Sequence, residues 1–114
     1  MEKEILKELP ACPVETTLTL ISDKWKVLIH RDLMPGTKRF GELKKSIGHV
    51  TQKVLTAQLR QMEESGLLTR KVYAEVPPRV EYTLTELGYS LKPILDAMWA
   101  WGEGYKSKLE GKAE

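Results

Sequence analysis

Cysteine, histidine and long apolar runs are scarce in this chain of 114 residues. The single cysteine, Cys12, cannot form an internal disulfide, so nothing in the sequence favours a secreted, disulfide-stabilised protein. No uninterrupted apolar run approaches the roughly 18 residues that cross a bilayer. Residues 1–10 mix acids with lysines and lack the apolar stretch of a signal peptide. We therefore expect a cytoplasmic protein with no membrane partner.

Residues that form metal and catalytic sites are equally sparse. His30 and His49 are far apart, and neither stands at a metal-ligand spacing from the other or from Cys12. The chain has no glycine-rich phosphate loop, no GxSxG motif and no carboxylate pair with an evident reason to be perturbed. We expect no metal, no cofactor and no enzymatic activity, although a site assembled from residues distant in sequence would leave no such motif.

The composition is that of a soluble globular protein. Hydrophobic residues make up 41% of the chain and charged residues 30%, a balance that excludes a disordered chain. The length suffices for a core without metals or disulfides. We predict a single domain over 1–114.

Positive charge is concentrated in one part of the chain, although the formal net charge is only +2. Between positions 37 and 60, six cations stand against Glu42 alone. They are Lys38, Arg39, Lys44, Lys45, Lys53 and Arg60. Such a band is typical of a surface that contacts phosphates; the alternative is a solvated basic face with no partner.

Residues 51–67 predict one helix with a clear beginning and end. Thr51 can accept a hydrogen bond from an orphan backbone N–H, and Gly66 supplies the left-handed residue that ends helices. The inner stripe consists of Leu55, Leu59 and Met62. The opposite face carries small and hydrogen-bonding side chains and two cations, so it could enter a DNA major groove. The alternative is an ordinary surface helix.

Helical patterns also precede this segment. Pro13 suits the first turn of a helix over 13–21, and Ser22 and Asp23 cap a second over 24–34. A third helix runs from about 40 to 47 after a short extended piece, and a link at 48–50 joins it to the helix that begins near Thr51. Two short helices joined in this way form a helix-turn-helix, whose second helix reads DNA.

After Gly66 the pattern alternates, which predicts strands over 68–75 and 79–84. Pro77 and Pro78 cannot lie inside a paired strand, so they belong to the loop of a hairpin over about 68–84. A hairpin that directly follows a recognition helix is a wing, which rests on the sugar–phosphate backbone or reaches the minor groove. The alternative is a hairpin that only completes the core.

The last helix is predicted to begin after Thr85 and to continue to about Leu109, with a kink at Pro93. It carries more apolar surface than one small domain can bury, and Trp99 and Trp101 point to different sides. This surplus favours a two-fold homodimer. The alternative is that the first helix covers the surplus within one chain.

Cys12 is the one residue with possible redox chemistry. It directly precedes a helix, where backbone N–H groups favour the thiolate, so it is a candidate sensor of oxidants or electrophiles. The alternative is a small, buried, inert cysteine.

Several segments, in order, resemble the HxlR family of bacterial transcription regulators. They are CPVETTLTLISDKWKVLIHRDLM, RFGELKKSI, TQKVLTAQLRQMEESGLLTR, EYTLTELGYSL and WAWGE. The resemblance covers about residues 12–105. It implies an α+β, mainly helical fold, which is a winged helix-turn-helix with N- and C-terminal dimerisation helices. It also implies binding of a double-stranded DNA operator.

The resemblance suggests roles for individual residues. The groove-facing positions of the recognition helix, about 51–65, would be Gln52, Lys53, Thr56, Ala57 and Arg60. The predicted contacts to the DNA backbone are Lys38, Arg39, Lys44, Lys45, Thr51, Arg70, Lys71 and Arg79. The predicted dimer contact comprises Val14, Leu18, Leu91, Leu95, Met98, Trp99, Trp101 and Tyr105.

Cys12 matches an N-terminal cysteine with which some family members sense quinones, aldehydes, diamide or hypochlorite, so the resemblance implies an electrophile or oxidant as inducer. Some members form an intersubunit disulfide between two different cysteines, and this chain has no second thiol for it. Bridging between two copies of Cys12, mixed disulfide formation and alkylation all remain open. The rival function is a winged-helix module that binds proteins and never touches DNA.

Overall fold

The computed structural model describes residues 8–113. The chain forms α1 (Pro13–Ile21), α2 (Lys24–Leu33), β1 (Lys38–Arg39), α3 (Phe40–Ile47) and α4 (Gln52–Glu64). It continues with β2 (Leu68–Tyr73), β3 (Arg79–Leu84), α5 (Glu86–Tyr89) and α6 (Lys92–Ala113). Helices surround one small antiparallel sheet, which confirms the predicted α+β class. The ends of α1 to α3 lie within one residue of the predicted ends, and those of α4 within one residue of the recognition helix predicted at about 51–65. Residues 1–7 and 114, which the single-domain prediction includes, lie outside the described residues.

The core is formed by the inner faces of α2, α3 and α4, closed by the sheet. The predicted stripe of α4 is buried, with Leu55, Leu59 and Met62 all at most 1% exposed. The other buried apolar side chains are Ile21, Ile29, Leu33, Leu43, Val50, Leu67, Leu68, Tyr82, Leu84 and Leu91. Because the core occupies one side of α4, its opposite side is left to solvent.

Local hydrogen bonds explain why α3 and α4 begin and end where they do. The Thr51 hydroxyl accepts from the backbone N–H of Val54 at 3.2 Å, which is the predicted N-cap. Gly48 takes φ +91° in the link, and Gly66 takes φ +79° after α4. The N–H of Leu67 then donates to the carbonyl of Met62 at 2.9 Å, which is the pairing that ends a helix on a left-handed glycine. The predicted helix-turn-helix is confirmed.

The sheet has the strand order β1-β3-β2, with both pairs antiparallel. Lys38 pairs with Tyr82 at one edge, and Leu68 pairs with Leu84 where the hairpin leaves the core. The prolines occupy the loop after Tyr73, as predicted. The hairpin therefore joins the core at its base and projects as a wing at its tip.

The prediction of one continuous last helix is wrong. The Thr85 hydroxyl accepts from the N–H of Gly88 at 3.1 Å and caps the short α5, and α6 begins separately at Lys92. Pro93 therefore lies in the first turn of α6, where its missing N–H costs nothing, instead of inside a helix that it would kink.

Close contacts with Leu67 and α2 hold the carboxyl end of α5 in place. A Cβ at Gly88 would come within 2.2 Å of the carbonyl oxygen of Leu67. The buried His30 donates from Nε2 to the carbonyl of Gly88 at 2.7 Å, so His30 ties α2 to α5. Burial lowers the pKa of His30 more than this hydrogen bond raises it.

Candidate nucleic-acid interface

The five predicted base-contact residues lie together on the solvent side of α4. Gln52, Lys53, Thr56, Ala57 and Arg60 are all exposed, and they line one shallow depression on the helix surface. The helix period sets this placement, because each of them lies on the side away from the buried stripe. Their side chains offer amide, hydroxyl, ammonium and guanidinium groups, which can pair with base edges.

A groove of about 320 Å³ separates α4 from the sheet. Its lining residues are Phe40, Gln52, Thr56, Arg60, Glu63, Arg70, Val80 and Tyr82. Arg60 of α4 and Arg70 of β2 therefore border the same groove. Sequence reasoning missed Glu63, which introduces a negative charge beside these two guanidinium groups.

Most of the residues predicted to contact the DNA backbone are exposed. Arg39, Lys44 and Lys45 are exposed at the start and in the last turn of α3, and Arg70 and Lys71 are exposed on β2. They form two cationic flanks, one at α3 and one on β2. Thr51 is also exposed, and its hydroxyl can still donate a hydrogen bond while it caps α4.

Lys38 is less exposed than its neighbour Arg39, and its charge acts on the carboxylate of Asp32. Burial raises the pKa of Asp32, but hydrogen bonds from Arg31 and Ser46 and the charges of Arg31 and Lys38 outweigh it and lower the pKa. Lys38 is also half-buried. It is a weaker candidate for a phosphate contact than its neighbour Arg39.

Arg79 is held by its own hairpin. Its Nη2 lies 3.3 Å from Oε1 of Glu75, and its Nε lies 3.5 Å from Oε2 of Glu81. The guanidinium also stacks over the ring of Tyr73, its cross-strand partner, at 3.9 Å from the ring centroid. The spacing of Glu75 and Glu81 around Arg79 is visible in the sequence and could have indicated this. Nζ of Lys71 also lies over this ring, 4.8 Å from its centroid, but Arg70 and Lys71 are both more exposed than Arg79.

Large apolar side chains are also exposed on α1 and on α6. Trp99 is 67% exposed and Trp101 71%, and the Trp101 ring stacks on Tyr105 with centroids 5.4 Å apart. Met98 of α6 and Val14 and Leu18 of α1 are exposed as well, together with Ile94 and Leu109, which the predicted dimer contact does not include. Since Val14 and Leu18 face solvent, they do not cover α6 within the chain.

Leu91 does not belong to this surface, so its assignment to a dimer contact is corrected. It is 8% exposed and packs in the core of its own chain, because it lies in the break between α5 and α6 and turns inward there. Leu95 is half-buried against the same core and forms the edge of the surface.

Cys12 is exposed at the N-cap of α1, which overturns the interpretation of a buried cysteine. The backbone N–H groups of Glu15 and Val14 lower the pKa of the thiol, as expected at a helix N-terminus. Within the described residues, no group of histidine, cysteine and acidic side chains is arranged to hold a metal ion. No helix among them is long and apolar enough to cross a membrane.

Comparison with known proteins agrees with this geometry. The family model described as HxlR-like helix-turn-helix matches residues 20–110. YdeP of Bacillus subtilis, named as an HTH-type transcriptional regulator, is 47% identical over 103 residues, which are 90% of this chain and 80% of YdeP.

Two solved structures of transcriptional regulators are similar to this chain. The redox regulator HypR in its reduced form is 45% identical, with a TM-score of 0.82 over 88% of this chain and 99% of that one. The reduced form of the transcriptional regulator YodB from B. subtilis is 37% identical, with a TM-score of 0.73 over 82% of this chain and 93% of that one.

Proposed function

Because the chain belongs to the HxlR-like helix-turn-helix family of transcriptional regulators, we propose that it is a homodimer that binds a specific DNA operator. It would act in the cytoplasm, where that DNA lies. The observation that carries the proposal is the exposed face of α4, on which Gln52, Thr56 and Arg60 stand free of the core. The cationic flanks on α3 and β2 support it.

In this proposal α4 lies in the major groove. Arg60 reaches O6 and N7 of a guanine with two parallel hydrogen bonds, and Gln52 pairs with N6 and N7 of an adenine. The methyl groups of Thr56 and Ala57 pack against thymine methyl groups, and Lys53 donates to a guanine or to a phosphate. Two such helices in a dimer read half-sites about 34 Å apart, one turn of the duplex.

Phosphate contacts fix the position of α4 on the duplex. Lys44 and Lys45 of α3 and Arg39 bind the backbone on one side of the groove, and Arg70 and Lys71 of the wing bind it on the other. Arg79 has a different role from the one predicted. Its contacts with Glu75 and Glu81 brace the hairpin, so we assign it to the shape of the wing instead of to a phosphate.

The dimer forms through α1 and α6. Met98, Trp99, Trp101 and Tyr105 supply the large exposed apolar area, and Val14 and Leu18 extend it. A patch of this kind on a small protein marks an interaction site, and self-association about a two-fold axis is its commonest use.

Cys12 is the proposed sensor. Its exposure and lowered pKa suit a thiolate that attacks oxidants or electrophiles. Diamide would oxidise two Cys12 thiols, one from each subunit, to a disulfide and would itself be reduced to the hydrazine. With an electrophilic alkene, the thiolate would instead add to a carbon atom of the double bond. The similar HypR, named as a redox regulator, supports this reading.

A gel-shift assay with genomic intergenic fragments tests the proposal. We expect retardation of a few fragments that persists at moderate salt and resists excess competitor DNA. Binding that is equal for all fragments and disappears at moderate salt would contradict sequence-specific recognition. No binding at any salt would favour the protein-binding module.

A further inference from the structure

A single carboxylate connects α2 with α4. Oδ1 of Asp23 accepts from the backbone N–H of Trp25 at 2.7 Å, which caps the N-terminus of α2. Oδ2 of the same carboxylate accepts from Nε2 of Gln58 at 3.3 Å. Gln58 lies on α4, so the capping carboxylate of one helix also holds a side chain of the proposed recognition helix.

Gln58 stands between the buried and the exposed sides of α4. It follows the exposed Ala57, precedes the buried Leu59 and is itself half-buried. Its Oε1 is buried and has no hydrogen-bond partner among the described residues. Turning the amide over would place that oxygen against the Asp23 carboxylate, so the bond from Nε2 is formed even though it leaves Oε1 unpaired.

This hydrogen bond favours one rotation of α4 about its axis, whereas the contacts of the apolar core do not. Contacts of Leu55, Leu59 and Met62 are favourable over a range of rotations of α4 about its axis, because hydrophobic burial is non-directional. A rotation of about 10° moves side-chain ends on a helix of this diameter by about 1 Å. Paired contacts to a base need placement within about 0.5 Å.

Asp23 is also fixed to α1. Only Ser22 and Asp23 separate the end of α1 at Ile21 from the start of α2 at Lys24. The N–H of Ser22 donates to the carbonyl of Leu18 at 2.9 Å. The carboxylate that holds Gln58 therefore sits at the α1–α2 corner, and a displacement of α1 displaces it.

We propose that Asp23 is a positioning residue for α4. Through Gln58 it sets the rotation of α4 about its axis, and it carries a displacement of α1, which bears Cys12 and part of the proposed dimer surface, to the side chains that face DNA. This inference rests on the proposed function, because its effect is on operator recognition.

The first test removes the bond without removing the side chain. Gln58→Met keeps the length and the partial burial of residue 58. We expect its operator affinity to fall about 10-fold, with weaker discrimination against base changes in the operator. The salt dependence should not change, since no phosphate contact is lost. Unchanged affinity and discrimination would overturn the proposal.

Reversal of donor and acceptor gives the matched control. Gln58→Glu alone places two carboxylates together and should bind the operator more weakly than Gln58→Met. Asp23→Asn alone keeps the cap and can pair with a reversed Gln58 amide, so it should bind as the wild type does. The double variant, Asp23→Asn with Gln58→Glu, should restore discrimination, because the asparagine amide then donates to the glutamate. If the double variant binds as poorly as Gln58→Glu, the proposal is wrong.

A measurement without DNA separates this inference from the proposed function. N-ethylmaleimide attached to Cys12 should shift the amide signal of Arg60 in ¹H–¹⁵N spectra of the wild type, and this shift should be lost in Gln58→Met. A shift of equal size in both proteins, or none in the wild type, would overturn the transmission from α1. If the wild type binds no DNA, the proposed function fails and these spectra alone decide the inference.

Discussion

Arg60 and Lys45 are both exposed cations near the proposed DNA surface, but they would contribute to binding differently. Arg60→Ala should cost about 1–3 kcal/mol and relax the preference at one base pair, because a guanidinium recognises a guanine edge. Lys45→Ala should weaken all sequences alike and lower the salt slope by about one. Anisotropy titrations of the operator and its single-base variants at several salt concentrations measure both effects. If neither change alters affinity, the proposed docking of α4 is incorrect.

At Cys12 the decisive comparison is between a thiol and a hydroxyl of similar size. Diamide should release wild-type protein from its operator and leave Cys12→Ser bound, since serine forms no reactive anion at neutral pH. The lowered pKa of the thiol implies that wild-type reactivity persists at lower pH than for an ordinary cysteine. Rates of maleimide labelling across pH check this. Equal release of both proteins by diamide would show that Cys12 is not the sensor.

The role of a residue was predictable from the sequence where it follows from the period of a single helix. It was less predictable where it depends on contact with another part of the chain. The exposed positions of α4 follow from its period alone. The stacking of Arg79 on Tyr73 depends on hairpin register, whereas its pairing with Glu75 and Glu81 joins residues close in sequence and could have been expected. The Asp23–Gln58 hydrogen bond joins residues 35 positions apart, and no local sequence pattern predicts it.

The buried His30, which links α2 to α5, makes the free energy of unfolding depend on pH. Burial lowers the pKa of His30 in the folded chain below its ordinary value of 6.5, so the unfolded chain binds the proton more readily. The contribution of His30 is therefore fully present above about pH 6.5 and is lost as the pH falls toward the folded-state pKa. Urea unfolding from pH 8 to pH 5 should show this loss in the wild type. A His30→Gln variant, which can still donate to Gly88, should lose less stability over the same range; an identical decline would contradict the assignment.

Element ends were predicted well where capping chemistry is local, as at Thr51 and Gly66. The break between α5 and α6 was missed for the opposite reason. Pro93 either kinks a helix or begins one, and the choice depends on Gly88, which lies against the carbonyl of Leu67 and pairs with His30. Both partners are distant in sequence, so the apolar periodicity of this region could not reveal the interruption.

For the whole molecule, the dimer is the most consequential proposal. Replacing Trp99 and Trp101 with glutamate should convert the dimer to a monomer, because two charges would have to be buried at the contact. Sedimentation equilibrium measures the oligomeric state. The operator affinity should fall about 100-fold or more, since a monomer engages one half-site at a time. Val76→Glu changes a fully exposed residue on the wing loop and should remain dimeric. A monomeric wild type, or a dimeric double variant, would refute this interface.

The bracing of Arg79 has a further thermodynamic consequence for the complete assembly. A cation that is already paired with Glu75 and Glu81 displaces few of the ions condensed on a duplex. The entropy gained from liberated counterions then comes mainly from the unpaired lysines and arginines. The affinity for DNA should therefore decline less steeply with ionic strength than the number of basic residues suggests. Contacts to base edges would then supply a larger share of the binding free energy.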